Sequence, residues 1–246
     1  MGSNDFGGSQ RLLDLVQQLR FLKPLCPPSN TNNNHPIELN NPNAESETNP
    51  IAKPSERIRT KRAAVLICIF EDENGNLRVI LTKRASTLST HSGDVSLPGG
   101  KTEEGDANDI ETALREAKEE IGLDPSLVDV VTVLEPIYTK IGMAVVPVLG
   151  ILLDRRAFTP TPNAAEVEAI FDAPLDMFLK DKNRREEERE WMGNKYLLHF
   201  FDYEAENGKY VIWALTAGIL IAAASLVYQR PPDFQERKPQ FWSIIR

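Results

Sequence analysis

The segment from Gly100 to Leu123 constrains this chain more than any other feature of its sequence. A glycine opens a run with helical periodicity, and Gly122 stands where such a helix would end. Glu116, Glu119 and Glu120 are spaced i, i+3, i+4, so a helix places their carboxylates on one face. Like charges at this spacing repel each other, and a divalent cation among them would relieve the repulsion. The segment therefore predicts a helix that carries a cation-binding face.

A second face of the same helix is predicted to pack on a core. Its apolar residues recur at helical spacing within an arc of roughly 100°, and they are Ile110, Ala113, Leu114, Ala117 and Ile121. Asp106 and Asn108 are alternative caps for the start of the helix. Arg115 lies beyond the glutamates and can pair with Glu111 or with Glu119. The alternative to a cation-binding face is an acidic helix face that is simply exposed to solvent. That interpretation does not explain the glycines that flank the helix.

The residues from Arg115 to Leu123 resemble the second half of the Nudix box. In that motif Arg-Glu, an apolar residue, any residue, Glu-Glu, any residue and Gly-apolar follow in order, as they do here. Fourteen residues separate Gly100 from Arg115, one more than in the family pattern, and this resembles the subfamily that cleaves coenzyme A. The first-half Glu is absent. Asp106 stands in its place if one counts from Gly100, and Ala107 if one counts back from Arg115.

A second motif upstream of the box is similar to the signature of coenzyme A diphosphatases. It comprises Leu81–Ala85, Gly93 and Leu97–Gly100. Two positions depart from the signature, because Ser89 stands where an Arg is expected and Leu97 replaces Phe. The resemblance covers roughly residues 58–245. It implies an α/β fold, the Nudix-type α/β/α sandwich with a mixed central sheet.

The resemblance also implies which residues form the site. The expected catalytic residues are Glu116, Glu119 and Glu120. The expected ligands of Mg²⁺ or Mn²⁺ are the same three carboxylates and the carbonyl of Gly100. The candidates for substrate binding are Lys83, Arg84, Gly99 and Gly100. The glycines let backbone approach phosphates closely, whereas the two basic residues have the alternative of simple exposure at a strand end. The identity of the general base among the glutamates stays open.

The activity that follows from the resemblance is metal-dependent hydrolysis of the diphosphate linkage in coenzyme A and its acyl derivatives. The products would be 3′,5′-ADP and a 4′-phosphopantetheine. One alternative is a Nudix hydrolase that acts on another nucleoside diphosphate derivative, such as NADH, ADP-ribose or an oxidised dNTP. A second alternative is a non-catalytic nucleotide-binding Nudix module. Retention of all three glutamates favours an enzyme over an idle module.

The net charge of −8 argues against a protein that holds nucleic acid by neutralising phosphates. The resemblance implies a small, coenzyme A-like nucleotide as partner, with a homodimer possible. The two cysteines, Cys26 and Cys68, are far apart and indicate neither a disulfide framework nor a zinc site. A reducing intracellular compartment fits this usage, and we expect a cytoplasmic protein with a mitochondrial address as the alternative.

Two parts are predicted along the chain. Residues 1–57 comprise an amphipathic helix at about 10–22, docked on its own domain, and a disordered Asn/Pro-rich linker; residues 58–246 form the hydrolase domain. Strands are predicted at 63–70, 77–82, 128–137, 143–153, 166–172 and 196–203. A helical stretch at 175–178 is predicted to lead into the highly charged residues 179–190.

The run from Tyr210 to Tyr228 has no charged residue over nineteen positions, which makes it a candidate for a membrane span. Its many alanines and other small residues make it only mildly apolar. We therefore predict that residues 210–213 end a strand and that the remainder is the second sandwich helix, buried against the sheet. No membrane partner is expected.

Overall fold

The computed structural model describes residues 9–21 and 61–243. In this part of the chain the helices are α1 Gln10–Phe21, α2 Asp109–Ile121 and α3 Ala214–Tyr228. The strands are β1 Arg62–Glu71, β2 Leu77–Arg84, β3 Val95–Ser96, β4 Gly99–Lys101, β5 Val128–Val133, β6 Ile137–Tyr138, β7 Ala144–Leu152, β8 Val167–Pro174, β9 Arg184–Trp191, β10 Asn194–Ala205 and β11 Gly208–Trp213. The predicted linker and Cys26 lie outside the described residues.

Eight strands form a mixed sheet whose main path runs β3-β2-β1-β7-β5. β1 and β7 pair in parallel from Arg62 and Ala144 to Ile69 and Ile151, whereas the other neighbouring strands are antiparallel. Both central strands are apolar runs, because helices cover both faces of the sheet. α2 packs on one face, and α1 and α3 pack on the other. The predicted α/β sandwich with a mixed central sheet is confirmed.

The helix predicted from the box forms as α2, with the expected end and one of its two expected caps. Asn108 is the N-cap, and its side-chain oxygen accepts hydrogen bonds from the backbone N–H groups of Ile110 and Glu111. Gly122 ends the helix in the left-handed conformation, with φ 72°. The predicted stripe packs on the sheet, with Ala113 among its fully buried residues.

The long uncharged run is a strand followed by a helix, as predicted. Residues 210–213 end β11, and α3 is buried against the sheet through its small and branched residues. Gly218 permits a close approach, because a Cβ there would lie 2.2 Å from the Trp242 ring. Within the described residues, no helix combines the length and the apolar character that crossing a bilayer requires.

A second sheet of three antiparallel strands, β9, β10 and β11, was not predicted as a separate unit. Its edge strand β9 is highly charged and mostly exposed, so it lacks the apolar alternation that marks a strand in sequence. Backbone pairing with β10 holds this strand from Arg184 to Trp191, and Glu188 forms exposed ion pairs with Lys195 on β10 and with Arg237. Phe201 and Ile212 attach this sheet to the main core.

One further element differs from the sequence prediction. The strand predicted over 128–137 is divided into β5 and β6, because Pro136 has no N–H with which to continue the pairing. At the N-terminus, α1 buries Leu12, Val16 and Leu19 against the domain, as predicted for a docked helix.

Candidate active site

The glycine loop and α2 form the centre of the site. β4 pairs with β1 through Val65–Gly99 and Ala64–Gly100, which fixes the loop on the edge of the central sheet. A Cβ on Gly100 would lie 2.4 Å from the Glu116 carboxyl carbon. The absence of a side chain at Gly100 therefore creates the space that the Glu116 carboxylate occupies. The sequence predicted that glycine permits close approach of a phosphate, and the structure shows close approach of the Glu116 side chain.

Glu120 is the most deeply buried acidic residue of the site, with 3% of its surface exposed. Burial raises the pKa of its carboxyl to about 7, and the neighbouring carboxylates of Glu116 and Glu166 add to the effect. Two donors oppose the increase. The backbone N–H of Gly99 donates to Glu120 Oε2 at 3.1 Å, and the Arg84 guanidinium lies 3.9 Å from Oε1. These two donors therefore offset only part of the effect of burial on the Glu120 carboxyl, and its pKa stays raised.

Arg115 orients the acidic face. Its Nε and Nη2 atoms each donate to the Asp106 carboxylate at 2.9 Å, and Nη2 also donates to the Lys101 carbonyl at 3.1 Å. Its Nη1 donates to Glu116 at 3.1 Å and to Glu119 at 3.2 Å. Of the two partners proposed from the sequence, Glu119 is therefore observed, whereas the Glu111 carboxylate accepts from the Ala107 N–H instead.

Asp106 occupies the position that the first-half glutamate of the box would have. Besides Arg115, its carboxylate accepts from the Glu103 N–H and from the Thr112 hydroxyl, each at 2.9 Å. The Arg115 hydrogen bonds hold the pKa of Asp106 well below its usual range. The contact with Arg115 favours the count from Gly100, by which Asp106 takes the place of the first-half glutamate.

Glu166 is a fourth carboxylate that the motif analysis did not assign to the site. Backbone hydrogen bonds from Thr161 N to Ile121 O and from Asn163 N to Glu120 O join its loop to the end of α2. Its charge contributes to raising the pKa of both Glu116 and Glu120. Nothing in local sequence spacing connects Glu166 to the box, so the motif did not identify it.

A cavity of about 270 Å³ opens beside the glycine loop. Gly99, Gly100 and Arg84 line it on the side of the glutamates. The Arg84 Nε atom is buried and has no hydrogen-bond partner among the described residues. Lys83 is not one of the lining residues, and its ammonium group instead contacts Glu168 at 2.6 Å. The two candidate phosphate-binding residues therefore differ in environment. Arg84 lies beside the glutamates, whereas Lys83 is engaged in an ion pair.

The donor set fits a hard divalent cation. Burial raises the pKa of Glu116 as well as that of Glu120, although the Arg115 charge opposes the increase at Glu116. Crowded carboxylate oxygens with raised pKa values are groups that Mg²⁺ or Mn²⁺ would stabilise in ionised form. Glu119 is 57% exposed at the rim of this group. Within residues 9–21 and 61–243, no three Asp, Glu, His or Cys side chains are arranged closely enough to hold a metal ion as they stand.

A NUDIX domain model matches residues 60–213, which span the sheet, the glycine loop and the acidic helix. The chain belongs to the Nudix hydrolase family, whose members hydrolyse phosphorus-containing anhydrides and generally use divalent metals. The family resemblance drawn from the box is confirmed.

Three individual members of the family are similar to this chain over most of its length. Over 235 residues the chain is 60% identical to Nudix hydrolase 22, chloroplastic, of Arabidopsis thaliana, covering 94% of this chain and 78% of the relative. Over 192 residues it is 66% identical to Nudix hydrolase 15, mitochondrial, of the same plant, covering 78% and 67%. It is 34% identical over 180 residues to the peroxisomal coenzyme A diphosphatase NUDT7 of Mus musculus, covering 72% and 75%.

We expect Asp106→Asn to lower the free energy of unfolding by about 2 kcal/mol at neutral pH, because it weakens a charge-assisted pair with Arg115. The folded-state pKa of Asp106 is depressed, so its stabilisation is present above the unfolded pKa near 4 and is lost as the pH falls below it. Urea unfolding of both proteins at pH 7 and at about pH 3 should show the difference shrinking in acid. Glu104→Gln, at an exposed position of the same loop, is the control. A pH-independent difference would contradict the assignment.

Proposed function

We propose that this chain hydrolyses the diphosphate linkage of coenzyme A and its acyl derivatives, with Glu116, Glu119 and Glu120 as catalytic residues. One observation carries the proposal. Glu116 and Glu120, two carboxylates with raised pKa values, contact the glycine loop, and the same loop lines a cavity together with the partly buried Arg84. Such a site can bind cations and phosphate oxygens in the same small volume.

The choice of coenzyme A rests on the signature upstream of the box and on the 34% identity with a coenzyme A diphosphatase. The unpartnered Nε of Arg84 supports binding of an anionic oxygen beside Glu120. Lys83 can join the phosphate contacts only by leaving Glu168. We therefore rank Arg84 above Lys83 as a substrate-binding residue, a ranking that the sequence did not provide.

In the proposed reaction, water attacks one phosphorus of the diphosphate and the bridging P–O bond breaks. Coenzyme A and water give 3′,5′-ADP and 4′-phosphopantetheine. A bound Mg²⁺ or Mn²⁺, held by Glu116, Glu120 and the Gly100 carbonyl with Glu119 at the rim, would neutralise phosphate charge and lower the pKa of water. Arg115 keeps Glu116 and Glu119 in place, and Arg84 contacts a phosphoryl oxygen. Glu166 adds a further candidate for the proton acceptor, so four glutamates share that assignment.

A substrate panel tests the activity. Purified protein is incubated with Mg²⁺ or with Mn²⁺ and with coenzyme A, acetyl-coenzyme A, NADH, ADP-ribose or oxidised dGTP. We expect the highest kcat/KM for coenzyme A or its acyl form, with 3′,5′-ADP as a product. The Glu116→Gln, Glu120→Gln double variant serves as the blank for contaminating hydrolases. Faster turnover of NADH, ADP-ribose or oxidised dGTP would contradict the substrate while leaving the reaction class intact.

The compartment and the assembly are further parts of the proposal. The two plant relatives are named as chloroplastic and mitochondrial, so they favour the mitochondrial alternative or another organelle and give no support to the cytoplasmic expectation. A C-terminal fluorescent fusion of the full chain, imaged with organelle markers, tests this address. A homodimer stays a prediction that sedimentation velocity can check.

A further inference from the structure

The cavity beside the glycine loop has two chemically different ends. Its catalytic end contains Arg84 and the glycines, whereas its far end is built from the start of α3. The far end is lined by the indole of Trp213, the aliphatic side chains of Leu215 and Ile219, and the hydroxyl of Thr216. At about 270 Å³ the cavity is smaller than typical sites that enclose a whole drug-sized ligand. It therefore fits one moiety of a substrate whose diphosphate lies at the catalytic end.

Trp213 is held as a flat wall of this cavity by a stack of planar groups. Its ring stacks in parallel on Phe200, with centroids 5.5 Å apart and an interplanar angle of 7°. The Arg185 guanidinium lies over the same Phe200 ring at 4.2 Å. The indole therefore lies at the cavity wall with its ring packed in parallel against Phe200.

The backbone around Trp213 is also fixed. Ala214 has φ 52°, an unusual conformation for a residue with a side chain, and it turns the chain from β11 into α3. The Thr216 hydroxyl donates to the Val95 carbonyl at 3.1 Å, which joins the start of α3 to β3. The wall that carries Trp213 is thus connected to the strand that leads into the glycine loop.

We propose that Trp213 is the stacking platform for the adenine base of the substrate, and that this subsite selects adenine nucleotides among diphosphates. A planar base gains from a parallel indole face, whereas a flexible pantetheine arm gains only apolar contact. Asp94 and Ser96 also line the cavity and offer oxygen acceptors for an exocyclic amine. The inference rests on the proposed function for the identity of the substrate, but not for the binding of the base.

The test separates binding of the base from turnover. Adenosine 3′,5′-diphosphate is titrated in EDTA, with intrinsic fluorescence and calorimetry as readouts, against the wild type, Trp213→Phe and Trp213→Leu. The chain has three tryptophans, and quenching is expected to disappear in both Trp213 variants but to persist in Trp191→Phe. Affinity is expected to be nearly unchanged in Trp213→Phe and to fall about 10-fold in Trp213→Leu. Affinity for 4′-phosphopantetheine, which lacks the base, should not change in either variant.

Leu215→Phe narrows the same cavity without altering Trp213 and is expected to weaken adenosine 3′,5′-diphosphate as well. Unchanged affinity for adenosine 3′,5′-diphosphate in Trp213→Leu would overturn the proposal, whatever the effect of Leu215→Phe. If these variants weaken binding of 4′-phosphopantetheine but leave binding of adenosine 3′,5′-diphosphate unchanged, the proposal is also overturned. The cavity would then be assigned to the pantetheine arm. If the enzyme prefers ADP-ribose yet keeps the Trp213 dependence, the coenzyme A proposal fails and the stacking platform stands.

Discussion

Replacing Glu120 with Gln is expected to reduce kcat on the best diphosphate substrate by about 10³-fold at saturating Mg²⁺, a loss near 4 kcal/mol. The reason is that Gln preserves the shape of a side chain with 3% exposure but removes the charge that would hold a cation. Glu116→Gln should have a similar effect, because Glu116 lies against Gly100 at the same loop. Initial rates at matched metal concentrations measure both losses.

The same substitution is expected to stabilise the protein when divalent ions are removed. The folded-state pKa of Glu120 is raised to about 7, so its unfavourable contribution is small below the unfolded pKa near 4 and grows as the pH rises toward 7. In EDTA the wild type should lose up to about 3 kcal/mol of stability over this interval, and Glu120→Gln should not. Urea unfolding across this pH range measures the difference.

The controls lie on the same helix. Glu111→Gln, at an exposed position of α2, should leave turnover nearly unchanged. Glu119→Gln should cost less than either of the other two glutamates, roughly 10-fold, because its carboxylate is exposed and solvent screens its charge. Full activity of Glu120→Gln or of Glu116→Gln at matched ion concentration would refute the proposed site.

Gly100→Ala is expected to lower activity by about 10²-fold while changing stability by less than about 1 kcal/mol. The new methyl group would overlap the Glu116 carboxyl, which is the movable end of a flexible side chain. The protein can therefore retain its fold by displacing Glu116, and the displaced carboxylate would no longer have the position that we propose for catalysis. Kinetics together with thermal unfolding measure the two effects separately.

Gly99→Ala is the comparison for that prediction. A Cβ there would lie 2.4 Å from the Ala64 carbonyl oxygen and 2.6 Å from the Val65 Cα, and the φ of 153° disfavours a side chain. Backbone of β1 cannot move without disturbing the central sheet, so we expect about 3 kcal/mol of destabilisation. If Gly100→Ala destabilised the protein as much as Gly99→Ala, Glu116 would not be the group that the methyl displaces.

Much of the site was predictable because the box is local in sequence. The spacing of three glutamates, the apolar stripe and the terminal glycine each depend on helical periodicity, and α2 forms with all three as expected. The Arg115–Asp106 pair was not predictable, since the family pattern offered two alignments of the longer box. Only the path of the loop before α2 brings Asp106 to the guanidinium.

Other parts of the site depend on contacts between residues that are distant in the chain. Glu166 approaches the acidic face because its loop bonds to the end of α2, and Arg84 does so from the end of β2. The charged strand β9 was not predicted either. An exposed edge strand can be held by backbone pairing and ion pairs, so its sequence needs no alternation of apolar residues.

By itself the sequence determined the helix that carries the acidic face, because the face follows from spacings along one continuous segment, and it determined the reaction class through the resemblance of that segment to the Nudix box. Only the tertiary structure decided the separation of Arg84 from Lys83 and the presence of Trp213 in the same cavity as Gly100. These juxtapositions come from strand pairing and sheet-to-helix packing between distant segments, and no local periodicity encodes them.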